Sequence, residues 1–254
     1  MALLSTIRDL HRRKGRDRRG LALAEGVRLV EEMLAADAVC KGVAMAPTLL
    51  TTPRGVALRS RLVERGVAIT DVSDEELIEL AATEHPQGIV AVYAPREWTL
   101  EEVVPAPGRP IVVLDGVQDP GNVGTIARTA LAFGAAGLIA LPGTVDLANP
   151  KVVRGAMGAL FRLPALYCEV GPLVTWLGSR QVALWATAVD GETLADPPRG
   201  PIAIALGNEG AGLSEDLLTH ASRRVSIPIH PAAESLNVAA AAAILLYQVT
   251  RYTK

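Results

Sequence analysis

No stretch of this 254-residue chain offers the 18 to 20 consecutive apolar residues that span a bilayer, so a membrane-spanning helix is excluded. The start, Met1-Ala2-Leu3-Leu4-Ser5-Thr6, precedes the basic run Arg12-Arg13-Lys14. That order is the reverse of a secretion signal, where charge comes first, so the expected location is the cytoplasm. There are only two cysteines, Cys40 and Cys168, too far apart to form a metal-ligand pair. They read as reduced, buried thiols. The four histidines are scattered, so no zinc or other metal site is expected. A dinucleotide fingerprint, Gly-x-Gly-x-x-Gly after the first strand, is missing, which counts against an oxidoreductase. A phosphate loop ending in Gly-Lys-Ser or Gly-Lys-Thr is missing as well. Net charge is only −2, so any nucleic-acid surface must be a local patch.

Half of the residues are apolar, enough for a sizeable globular core. A proline-rich stretch, with Pro95, Pro105, Pro107 and Pro110, suits neither a helix nor a central strand. It reads as a linker over 96–109 between a smaller α/β unit, 1–95, and a larger one, 110–254. In the first unit, 23–34 carries apolar residues at helical spacing. Strands are expected at 39–46, 70–72 and 88–93. Ser73 begins a helix as its N-cap, with Glu76 completing a capping box. The second unit reads as strands at 111–114, 137–141, 182–189, 202–206 and 225–229. Helices fall at 122–133, 150–157, 214–220 and 236–252. Continuous Val, Ile, Leu and Ala strands between helices imply a mostly parallel sheet covered on both faces.

Three polar-glycine strings lie where such a sheet binds ligands, at the carboxyl ends of its strands. They are Asp119-Pro120-Gly121-Asn122-Val123-Gly124 running on to Arg128, Gly207-Asn208-Glu209-Gly210-Ala211-Gly212, and Ser235-Leu236-Asn237-Val238. Each has a plain structural reading: a tight turn, a helix N-cap, a solvated helix arginine. Their joint occurrence favours a pocket lined by backbone amides. Near the start, Arg8, Arg12, Arg13, Lys14, Arg16, Arg18 and Arg19 face only Asp9 and Asp17. This run reads either as a solvated helix end or as a phosphate-contacting surface, for which the planar guanidinium is well shaped. No aromatic residue is interleaved to stack on bases.

The three strings, with Ile227-Pro228-Ile229 leading into the last, resemble the motifs of the SpoU-type RNA 2′-O-ribose methyltransferases of the SPOUT superfamily. Ala24-Glu25-Gly26-Val27-Arg28 and His85-Pro86-Gln87-Gly88-Ile89 are similar to that family's N-terminal substrate-binding domain. The resemblance covers nearly the whole chain; one departure is Ala239, where the family often has serine. It implies an α/β protein with a trefoil-knotted C-terminal methyltransferase domain and a smaller, ribosomal-protein-like RNA-binding domain. It also implies a homodimer with S-adenosylmethionine as cofactor. The cofactor contacts it implies are Leu206, Gly207, Asn208, Gly210, Ile227, Ile229, Leu236 and Asn237. The catalytic set is Asn122, Arg128, Glu209, Ser235 and Asn237, with Glu209 holding Arg128 or a partner arginine. RNA contacts fall to Arg12, Arg13, Arg16, Arg18 and Arg19. Ribosomal RNA of the 23S type is expected ahead of transfer RNA. A non-catalytic RNA-binding assembly factor is the reading from another class.

Overall fold

The computed structural model describes residues 2–194 and 198–251. Its first unit opens with α1 (Ala2–Leu10), α2 (Arg13–Arg19), β1 (Ala22–Glu25), α3 (Val27–Ala35) and β2 (Val39–Met45). There follow α4 (Pro53–Glu64), β3 (Ile69–Asp71), α5 (Asp74–Leu80) and β4 (Ile89–Ala94). The sheet order is β1-β4-β2-β3, with β4 antiparallel to β1 and β2, and β3 parallel to β2. Strand alternation divides the inner strand β4 between two cores. Ile89, Ala91 and Tyr93 join Leu29, Met33, Leu58 and Leu62 on one face, whereas Val90 and Val92 join Ile7, Leu10, Leu77 and Leu80 on the other. Helices thus cover both faces, and the strand is apolar at every position.

The expected helix over 23–34 is instead a strand followed by a helix. Gly26 sits at φ +94, a conformation that suits glycine, and its N–H bonds to the Ile89 carbonyl. Residues 22–25 pair with β4, and the side chain of Gln87 accepts from the N–H of Val27 to begin α3. The Ser73–Glu76 capping box forms as read from the sequence.

This unit also takes in Asp146–Phe161 from the later part of the chain. Val153 belongs to its core, and Phe161 meets Tyr93 edge-on with ring centroids 5.1 Å apart. Arg16, expected on RNA, is tied into the same segment. Its guanidinium lies 2.6 Å from the Asp146 carboxylate and donates to the carbonyls of Leu10 and His11. The side chains are only 5% and 11% exposed. Arg16 is therefore withdrawn from the phosphate-contacting set.

The second unit holds β5 (Ile111–Asp115), α6 (Pro120–Ala132) and β6 (Gly137–Ala140), and the chain then visits the first unit with α7 (Pro150–Ala156). It resumes with β7 (Ala165–Tyr167), α8 (Val170–Ser179), β8 (Ala183–Thr193), β9 (Ile202–Gly207), α9 (Glu215–Thr219), β10 (Arg223–Ser226) and α10 (Val238–Thr250). The six strands run parallel in the order β10-β8-β9-β5-β6-β7. Three expectations shift here. The short β7 and the proline-bearing α8 have no counterpart in the sequence reading. The last strand ends at Ser226, ahead of Pro228, which lacks the N–H a ladder needs. The closing helix starts at Val238, and Tyr252, its expected end, lies outside the described residues. Both cysteines are free and half-buried rather than fully buried, and burial raises each thiol above its ordinary pKa. Among the described residues no helix is long and apolar enough to cross a membrane.

From β5 the chain moves outward to β6, and from β9 it moves outward to β10 on the other side. Strands β5 and β9 are neighbours, so their carboxyl ends flank the crevice expected at such a reversal.

The Arg16–Asp146 pair sets a stability test. Removing one member of a buried pair strands the other, at a cost of about 3–5 kcal/mol. Arg16→Gln should lower denaturant-monitored stability by roughly that amount, while Arg12→Gln, at an exposed site, should stay within about 0.5 kcal/mol of the parent. Equal effects would mean that the pair contributes nothing.

Candidate active site

The crevice is built from the ends of β5 and β9. Asp115 and Gly207 are register partners, so the two following loops leave the sheet side by side. Gly116 turns the first loop at φ +68, and its N–H bonds to the buried Thr144 hydroxyl, which itself donates to the Leu114 carbonyl. The Asp115 carboxylate, also buried, accepts from the Ser214 N–H at 2.7 Å and anchors the far end of the second loop.

Asn208 stitches that loop to the first. Its amide donates to the Gly116 carbonyl at 2.8 Å and accepts from the N–H groups of Gly210 and Ala211, both at 2.9 Å. Backbone bonds between Asn208 and Gly212 close the turn. A Cβ on Gly207 would lie 2.3–2.5 Å from backbone atoms of Gly212 and Leu213, so this glycine is required by the loop itself. A Cβ on Gly210 meets nothing nearer than the Asn208 side chain at 3.7 Å, which leaves open space there.

The three strings meet through side chains. Asp119 caps α6 by accepting from the Asn122 N–H at 2.8 Å. The Glu209 carboxylate accepts from the backbone N–H groups of Gln118 and Asp119, each at 3.3 Å, and from Asn122 Nδ2 at 3.0 Å. Asn122 Oδ1 in turn accepts from Asn237 Nδ2 at 2.9 Å. Asn237 Oδ1 caps α10 by accepting from Ala239 and Ala240. Desolvation pushes the Glu209 carboxyl upward, but the Asn122 amide and the backbone N–H groups outweigh it, so its pKa falls below the usual value. Glu209 is therefore ionised at neutral pH. Its share of stability is present above the ordinary carboxylate range and is lost only as pH drops through the lowered value.

Arg128 lies on α6 with its side chain exposed, and it makes no hydrogen bond or ion pair among the described residues. Within this chain Glu209 does not hold it, contrary to expectation, because that carboxylate faces the start of α6. Ser235 is likewise exposed and unpaired among the described residues. Leu206 is 2% exposed, so its side chain is not available to a ligand. Ile227 and Ile229 are half-buried, and Leu236 is exposed. Asp115, Gln118 and Thr144 escaped the sequence reading. Asp115 alone left a signal, as an acid ending an apolar strand.

In the first unit, Arg18 and Arg19 both bond to Asp9, and Arg13 lies 3.8 Å from Asp17. Arg12 and Lys14 are exposed with no partner among the described residues.

A family model described as the SpoU rRNA Methylase family matches residues 109–247, the span that carries all three strings. The chain belongs to the SpoU rRNA methylase family. A second model, the MRM3-like substrate binding domain, matches residues 4–91 of this SpoU methylase. A 23S rRNA guanosine 2′-O-methyltransferase of Bacillus subtilis is 34% identical over 95% of this chain and 93% of its own. Two solved structures superpose with a TM-score of 0.88. One is an rRNA methyltransferase of Sinorhizobium meliloti bound to AdoMet, 30% identical, covering 99% of this chain and 95% of the other. The second is the SpoU methyltransferase AviRb of Streptomyces viridochromogenes with AdoMet, 29% identical, covering 99% and 98%.

The two loop glycines of this SpoU methylase should respond differently to alanine. Gly207→Ala forces backbone apart and should lower the thermal midpoint along with cofactor affinity. Gly210→Ala should leave the midpoint unchanged. Scanning calorimetry with titration of S-adenosylmethionine separates the two, and a stable, fully binding Gly207→Ala would contradict the loop-closure argument.

Proposed function

We propose that this SpoU methylase transfers a methyl group from S-adenosylmethionine to the ribose 2′-hydroxyl of a nucleotide in ribosomal RNA of the 23S type. The observation that carries this reading is the unbroken chain Glu209–Asn122–Asn237, which joins the three family strings at the sheet crevice. The cofactor suits the residues present. Open space at Gly210, main-chain groups after Leu206, and the half-buried Ile227 and Ile229 make a partly apolar cradle with backbone donors and acceptors. When bound, S-adenosylmethionine supplies an electrophilic methyl group and leaves as the neutral thioether.

The protein's own task is to orient a poor nucleophile and stabilise charge as its proton departs. The guanidinium of an arginine is a fixed cation in proteins, so Arg128 acts as a positive charge beside the developing alkoxide or the adjacent phosphate. A ribosomal substrate is favoured by coverage. The ribosomal enzymes above align along the whole chain, whereas a structure concerning 2′-OH methylation of C/U34 on tRNA covers 57% of it at a TM-score of 0.52. The same reading carries a knotted C-terminal domain and a cytoplasmic location. It also carries a homodimer, supported by the exposed Leu131 on α6 and Ile244 and Tyr247 on α10, two helices that pack together. Light scattering tests the dimer.

Arg128→Ala should abolish methyl transfer to 23S rRNA, mapped by 2′-O-methyl sequencing, while folding and cofactor affinity stay near the parent. Arg128→Lys should also be poor, since an ammonium does not reproduce the planar guanidinium. Near-parental turnover by the lysine variant would remove Arg128 from the mechanism.

Arg12 and Lys14, exposed and without a partner among the described residues, should supply phosphate contacts of the first unit. Replacing both with glutamine should weaken binding to any RNA alike and flatten the slope of log affinity against log salt by about 0.7 to 0.9 per lost contact. An unchanged slope would return the run to a merely solvated surface. A shifted methylation position would show that it reads RNA shape.

A further inference from the structure

The two faces of the first sheet differ in charge. Leu29 and Met33 of α3, Leu58 and Leu62 of α4 and Val153 of α7 share one core, so these three helices cover one face. Ile7 and Leu10 of α1 and Leu77 and Leu80 of α5 share the core on the other face, and α2 is bound to α1 through Asp9. The arginine run belongs to that second face, since the ring of His11, next to Arg12, bonds to the Leu80 carbonyl. Yet Asp9, Asp17 and the four acids of α5, Asp74, Glu75, Glu76 and Glu79, equal the six cations of its helices. The α3–α4–α7 face is different. It carries six cations, Arg28 of α3, Arg54, Arg59 and Arg61 of α4, and Lys151 and Arg154 of α7, against three acids, Glu31, Glu32 and Glu64. The excess of positive charge thus lies opposite the run that stands out in the sequence.

Pairing narrows this excess to a place. Arg54 forms an ion pair with Glu31, and Arg65, just past α4, lies 3.0 Å from Asp37. Arg59 is exposed and Arg61 half-exposed, and neither has a partner among the described residues. Leu58 and Leu62 turn inward, so a repeat of 3.6 residues sends Arg59 and Arg61 to opposite flanks of α4, with the exposed Ser60 between them. Two guanidinium forks with their donors unengaged, on the face richer in positive charge, suit the phosphates of a polyanion.

Resting on the ribosomal RNA reading, we propose that the outer surface of α4, centred on Arg59 and Arg61, is a second RNA-docking surface that contacts phosphates, separate from Arg12 and Lys14. The first unit then holds its RNA from both faces of the sheet. On the second face the acids of α5 confine the contact to the neighbourhood of Arg12 and Lys14, whereas α4 offers its cations without such a barrier.

The test uses the full chain. Arg59→Gln combined with Arg61→Gln removes two charges that support no internal contact, so thermal midpoint and S-adenosylmethionine affinity should match the parent. Binding to a 23S rRNA transcript should weaken several-fold, and the slope of log affinity against log salt should flatten by about 0.7 to 0.9 per lost contact. In methyl transfer the loss should appear in KM rather than kcat. Glu64→Gln, on the same helix, should instead tighten binding, because it removes a charge that repels phosphate. Adding the Arg12 and Lys14 substitutions should deepen the loss additively, since the two sets share no partner. Parental affinity and slope in the arginine variant would overturn the proposal. So would weaker binding with an unchanged slope, which excludes phosphate contact, or a loss for Glu64→Gln equal to that of the arginine variant. A changed mass in light scattering with RNA affinity intact would also overturn it, and would make α4 a contact between copies of the chain. A parent protein that bound the transcript but transferred no methyl group would instead overturn the methyltransferase reading, and the salt titration would still judge the surface.

Discussion

The active-site crevice depends on the carboxylate of Glu209. It sits in a loop after β9, yet the groups it satisfies belong to the loop after β5 and the first turn of α6, namely the N–H groups of Gln118 and Asp119 and the amide of Asn122. Those backbone donors stand at the amino end of α6, where partial positive charge accumulates and favours an anion. One exposed acid thereby links two loops and orients an asparagine at the start of a helix. Asn208 and Asp115 repeat the pattern more simply, each tying the second loop to the end of β5. The parallel sheet brings the loops together by placing Asp115 opposite Gly207, and the polar contacts then set their shape.

Much of this was legible in the sequence. The three strings could be placed at strand ends because apolar runs precede them. Ser73 with Glu76, and Ser214 before α9, identified helix starts from local chemistry alone. What escaped depended on partners far along the chain. Arg16 read as one more exposed cation because Asp146, 130 residues away, gave no local sign of pairing with it. The segment 23–34 read as one helix because its helical spacing persisted through Gly26, and only pairing with β4 revealed the break. Gly207 and Asn208 read as ligand contacts, and only the folded loops reveal that each also shapes the site, Gly207 by close backbone approach and Asn208 by bonds to Gly116, Gly210 and Ala211.

The two units are chemically unlike at their functional surfaces. The first offers cations, of which Arg18 and Arg19 are committed to Asp9 while Arg12 and Lys14 have no partner among the described residues, so its attraction for a polyanion is smaller than the count of arginines suggests. The second offers neutral donors and a single exposed arginine on α6. Such a division suits a long charged substrate, held along its backbone by one unit and presented to directional hydrogen bonds by the other.

The excursion of Asp146–Phe161 into the first unit carries a consequence for biogenesis. N-terminal domains generally fold first as the ribosome delivers them, at about 5 to 20 residues per second. Here Val153, Phe161 and the counter-ion of Arg16 all arrive only after β5, α6 and β6 have been synthesised. The nascent first unit must therefore wait, with part of its apolar surface open and Arg16 unneutralised, until the chain has emerged through Phe161. The first unit thus completes its core only after part of the second has been synthesised.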